Sequence, residues 1–87
     1  MNTYVILLRR MEGRTKPTSL SRPVLSEIAV GDGVQLLDVF LTVGGSFDAV
    51  VLCRAPAHEA IGHLLDDLAG WHTEMLLATG HIRFESL

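Results

Sequence analysis

The feature that most constrains this chain is that its strand-like segments are apolar at consecutive positions, not at every second one. Along a β-strand successive side chains point to opposite faces. Thr3–Arg9 (TYVILLR) therefore sets Tyr4, Ile6 and Leu8 on one face and Val5 and Leu7 on the other. Strict alternation in Val34–Thr42 sets Val34, Leu36 and Phe40 against Leu37, Val39 and Leu41, and Phe47–Arg54 sets Phe47, Ala49, Val51 and Cys53 against Val50 and Leu52. A sheet with one face in water alternates apolar with polar residues, and these segments do not. Both faces of the sheet need cover.

The chain has 87 residues, enough for a single domain spanning residues 1–87 and for one core. A monomer of this length hides only about 60–65% of its unfolded surface. Yet 48% of the residues are apolar and 20% are charged. Connecting helices cover one face of a sheet, and no segment remains to build a second layer. The sequence thus points to a chain that pairs with copies of itself.

The order of elements supports this. After the first strand, Met11–Leu20 reads as a loop and Pro23–Val30 as a short helix, with Ser21 to cap it, Pro23 in its first turn and Gly31 to end it. Gly44-Gly45-Ser46 turns the second strand into the third as an antiparallel hairpin. Pro56 opens a second helix reaching about Ala69, with Ala60, Ile61, Leu64, Leu65 and Leu68 as its apolar stripe, and Gly70 stops it. Thr73–Thr79 is the last strand, and Gly80 bends it or separates a short piece, His81–Phe84. The fold class expected is α+β, a ferredoxin-like βαββαβ chain with a four-stranded antiparallel sheet.

Net charge of −3 argues against nucleic acid, which needs a clustered basic surface; Arg9, Arg10, Arg14, Lys16 and Arg22 are interleaved with Glu12 and read more simply as a solvated loop. No stretch approaches a membrane span and Met1–Leu8 lacks the marks of a signal peptide, so a cytoplasmic protein is expected. Cys53, the single cysteine, reads as a small buried hydrophobe.

Few residues suggest chemistry. Asp48, beside a glycine turn and an apolar strand, is a candidate general base if buried, and otherwise an acceptor for turn amides. Asp38 poses the same question. His72, next to Trp71, is a candidate proton-transfer group at a pocket mouth, against the plainer reading of a surface or interface histidine. Tyr4, Phe40, Phe47 and Trp71 are candidates to line an apolar ligand cavity between sheet and helices, or else to anchor the core or an interface. His58 and His63 are five apart, not the four that a helical zinc site needs, and Glu59, His63 and Asp67 read as a wet helix face. The pattern asks for no metal and no cofactor.

The segment Phe40-Leu41-Thr42-Val43-Gly44-Gly45-Ser46-Phe47-Asp48-Ala49-Val50-Val51, followed by Arg54-Ala55-Pro56, resembles the GYD-domain family, as does the opening Met1-Asn2-Thr3-Tyr4-Val5. That family's signature is an aromatic-rich strand, Thr-x-Gly, Gly-x-Tyr-Asp, an aliphatic run and a Glu-Ala-Pro-like helix start. This chain departs from it in Phe47 for the tyrosine, in one extra turn residue, in Arg54 for an acidic residue and in a short first helix. The resemblance implies a ferredoxin-like fold of the dimeric α+β-barrel type, with sheets packed face to face between protomers. It implies no particular activity, since such barrels include cofactor-free isomerases, cyclases and monooxygenases as well as ligand-binding and regulatory modules.

Two readings result. The first is a homo-oligomeric module that binds a small apolar or aromatic molecule, or a partner, without catalysis. The second is a cofactor-independent enzyme using Asp48 or His72 as acid/base in an apolar pocket. An enzyme should enclose those groups in an apolar cavity; a binding or structural module should leave them at turns or in solvent.

Overall fold

The computed structural model describes residues 1–13 and 16–85. Six elements follow one another: β1 (Asn2–Arg10), α1 (Arg22–Asp32), β2 (Gln35–Leu41), β3 (Ala49–Ala55), α2 (His58–Asp66) and β4 (Trp71–Leu77). All strand pairs are antiparallel, in the order β2-β3-β1-β4. This is the ferredoxin-like βαββαβ arrangement that the segment order led us to expect.

β1 lies in the middle of the sheet because it is the most continuously apolar segment and gains neighbours on both sides. Tyr4, Ile6 and Leu8 pair with Cys53, Val51 and Ala49 of β3, and all six side chains are buried. They meet Leu25 and Ala29 of α1, and Ile61 and Leu64 of α2 with Leu68 beyond it, in one continuous core. Both helices lie on this side. Their polar residues, among them Glu27, Glu59, His63 and Asp66, face outward.

The element ends show what local chemistry decided. The sequence places the stop of α1 at Gly31, yet the helix continues to Asp32 and closes at Gly33. Gly33 takes φ +70°, and its N–H reaches the carbonyls of Ala29 and Val30, satisfying helix-end acceptors as a left-handed cap does. Ser21 occupies the N-cap position, but its side chain makes no capping hydrogen bond. α2 is shorter than its apolar stripe suggested, from His58 to Asp66, with Pro56 and Ala57 leading in. β4 begins at Trp71 and ends at Leu77, so His72 lies within the strand and His81–Phe84 form no strand.

One strand departs from strict alternation. The β2–β3 pairing shifts between Leu36 and Asp38, leaving Leu37 as the extra residue of a β-bulge. Leu36 and Val39 therefore both face the helices, while Asp38 and Phe40 face the other way. Strict alternation sets Phe40 on the same face as Val34 and Leu36; the bulge moves it to the opposite one.

Candidate functional site

The helix-free face of the sheet is the surface with most to explain. Two rows of residues cross its centre, set by the pairing registers. One runs Asp38, Leu52, Val5, Leu76, and the next runs Phe40, Val50, Leu7, Glu74. Val5, Leu7, Val50 and Leu52 are only half-buried, Leu76 is 45% exposed and Phe40 is 52% exposed. Arg54 stands at one end of the central strands and Arg9 at the other, both exposed. Among the described residues nothing covers the apolar centre.

The surface area agrees with that view. The chain exposes 6401 Å². A compact monomer of 9.5 kDa exposes about 5,050 Å², so roughly a quarter more surface is open than its size requires. Large apolar residues are exposed on this face (Phe40, Leu76), on the other side of the edge strands (Leu41, Met75, Leu77), in the turn (Val43) and in the tail (Ile82, Phe84).

A cleft of about 530 Å³ adjoins the open face, walled by Val5, Leu37 and Leu52 and bordered by Arg54 and the tail residues Thr79 and His81. Its volume falls in the range of small-molecule sites. A second cleft, about 500 Å³, runs between α1 and the β2 edge, with Arg22 and Asp38 at its margin. A third, about 370 Å³, is framed by Arg9, Arg10, Glu12 and His72.

The four aromatic candidates do not meet in one cavity. Tyr4 is fully buried on the helix side. Its hydroxyl lies 3.0 Å from His58 Nδ1 and accepts a 3.4 Å hydrogen bond from Asn2 Nδ2, and its ring meets the imidazole edge-on. Trp71 stands opposite Arg10, six residues and so about 20 Å along β1 from Tyr4. Its Nε1 donates to the Thr18 carbonyl at 2.9 Å, and the Arg10 guanidinium sits 6.0 Å from its ring. Phe40 lies on the open face, and Phe47 is half-buried in the turn before β3.

Asp48 has a clear structural task. Its Oδ2 accepts a 2.7 Å hydrogen bond from the Arg10 amide, its own N–H donates to the Leu8 carbonyl, and its carbonyl accepts from Thr42 N–H. It ties the hairpin turn to β1 with its carboxyl group exposed. His72 is exposed beside Arg9, and Asp38 is exposed on the edge strand. Cys53 is buried, and desolvation pushes its thiol up to about 11. That is the inert thiol its apolar strand suggested.

Sequence reasoning missed one polar group. Asp32, at the end of α1, has a buried Oδ2 with no hydrogen-bond partner. Desolvation raises its pKa first, and the neighbouring carboxyls of Asp67 and Asp66 raise it further, while His63 acts the other way. The only signal in the sequence was that both helices end in aspartates; their approach is a product of helix packing.

Comparison with family models, with curated proteins and with solved structures finds no match for this chain. No helix among the described residues is long and apolar enough to cross a membrane.

Proposed function

We propose that this protein is a self-pairing module. Two copies pack their helix-free sheet faces together, and the assembly binds a small apolar or aromatic molecule in the cleft beside that face. The observation that carries this reading is the uncovered cluster of Val5, Leu7, Val50, Leu52, Phe40 and Leu76. Four strands about 4.8 Å apart and seven residues long give a footprint of roughly 450 Å² per face. Two such faces bury on the order of 1,000 Å² once side-chain relief is counted, the scale at which a specific interface begins.

The occupant is a second copy because the face complements itself: an apolar centre rimmed by the cations Arg9 and Arg54 and the anions Asp38 and Glu74, with the carboxylate of Asp48, beside Arg9, already engaged by the Arg10 amide. A strongly acidic or basic partner would leave half of that rim opposed by like charge. The likeness of the hairpin to the GYD-domain signature supports the same reading, since it implies sheets packed between protomers. The cleft shares Val5 and Leu52 with the face, so pairing would turn an open groove into an enclosed pocket.

Catalysis is the weaker reading. Asp48 and His72 stand in solvent, one engaged by a backbone amide and the other beside an arginine. To test the module, Leu52→Asp should preserve the helix and strand content, halve the molar mass and abolish saturable binding of the apolar fluorophore anilinonaphthalene sulfonate. A variant that keeps both native mass and native binding defeats the proposal.

A further inference from the structure

The charges around the open face are arranged by sign. The two cations lie at the ends of the central strands: Arg54 near one end of β3, opposite Thr3, and Arg9 near the far end of β1, opposite His72. Two anions lie at the middle of the edge strands, Asp38 on β2 and Glu74 on β4, and a third carboxylate, Asp48, sits beside Arg9 with its Oδ2 held by the Arg10 amide. With same-face residues about 6.7 Å apart along a strand and strands about 4.8 Å apart, the arginines stand about 20 Å from each other. The carboxylates stand about 16 Å apart, across the same centre. A half-turn about the sheet normal carries Asp38 onto Glu74, Leu52 onto Leu7, Val5 onto Val50 and Arg54 onto Arg9. The face thus has cations at top and bottom, anions at left and right, and leucine and valine between.

Resting on the self-pairing reading, we infer that the two sheets pack with their strands crossed near a right angle, so that each arginine of one protomer meets a carboxylate of the other. Sheet faces pack either aligned or orthogonal. In aligned packing with the two-fold axis along the strands, Asp38 is set over the partner's Leu76 and Glu74 over the partner's Phe40. With the axis across the strands, Asp38 is set over the partner's Phe40 and Glu74 over the partner's Leu76. Either way two carboxylates are pressed onto apolar side chains, which strips their water and returns no counter-charge. A quarter-turn removes the conflict. Arg54 and Arg9 then lie over the two anionic positions of the partner, and the reverse pairs form by symmetry, giving four ion pairs around a leucine–valine centre. Both choices of diagonal satisfy these four charges, because their pattern repeats after a half-turn. The long arginine side chains, reaching inward, make up the difference between the two spacings.

The test is a charge swap by mixing. Arg9→Glu with Arg54→Glu makes an all-acidic rim, and Asp38→Arg with Glu74→Arg makes an all-basic one. Each variant alone should self-associate at least about 100-fold more weakly than the native chain. Mixed in equal amounts, they should recover a mass equal to the native assembly, composed of one copy of each by native mass spectrometry. If both variants still pair with themselves as tightly as the native chain and mix at random, the crossed arrangement is wrong while self-pairing stands. If the native chain itself does not pair, the underlying reading has failed instead. Should either variant not fold, interchain disulfides decide in a Cys53→Ser background. Crossed packing expects a 54–74 bridge from Arg54→Cys with Glu74→Cys, or a 54–38 bridge from Arg54→Cys with Asp38→Cys. A 54–54 bridge, or none from either pair, contradicts it.

Discussion

Gly70 is the residue whose replacement should be felt most. It reads in the sequence as a helix stop, but its larger task is a close approach. It sits at φ +83°, and a Cβ there would fall 2.5 Å from the Pro17 Cα. Gly70→Ala combines a left-handed backbone with a clash against main chain, so a loss of about 2 kcal/mol or more is expected. Urea unfolding checks it. Asp32 makes the opposite case. Its folded pKa is raised above its ordinary 3.8, so its contribution favours the fold while it is protonated and fades as pH rises through the shifted value. Once ionised, the carboxyl opposes Asp67 and Asp66. Asp32→Asn should therefore raise the melting temperature at pH 7 and leave it nearly unchanged at pH 3, as thermal scans at the two pH values would show. Tyr4→Phe should cost about 1 kcal/mol, the worth of one hydrogen bond to His58. None of these three partnerships was legible in the sequence, because each joins residues brought together only by tertiary packing.

At the scale of elements, hydrophobic periodicity placed all six segments, and their errors are instructive. Gly31 and Gly33 are both helix-stop residues, and only the backbone conformation selects Gly33. The β2 bulge is harder to foresee. Nothing in Leu36-Leu37-Asp38 marks Leu37 as the extra residue; the faces on either side are decided by which pairing buries more of β2 against α1. The bulge has a measurable consequence. Val39→Asp should destabilise the folded chain by about 2–3 kcal/mol, because it places a charge on the helix side. Phe40→Asp should leave the fold intact and weaken pairing. Strict alternation would put Phe40 inward and reverse the two results. Circular dichroism melts together with sedimentation distinguish the two.

For the whole molecule, the two-sided apolar strands were the informative signal, and the structure locates what they left uncovered. The helices bury Tyr4, Ile6, Leu8 and their β3 partners, while Val5, Leu7, Val50 and Leu52 remain half-open. The candidate site was less legible. The aromatics singled out by type are spread over both faces and both ends of the sheet, whereas the rim charges became visible as a pattern only once the register was known. The proposed function belongs to a surface assembled from four strands, not to a motif. Its most direct test is the molar mass of the native chain by sedimentation equilibrium at micromolar concentration. Twice 9.5 kDa is expected. A well-folded species of 9.5 kDa that holds its mass as concentration rises would contradict it.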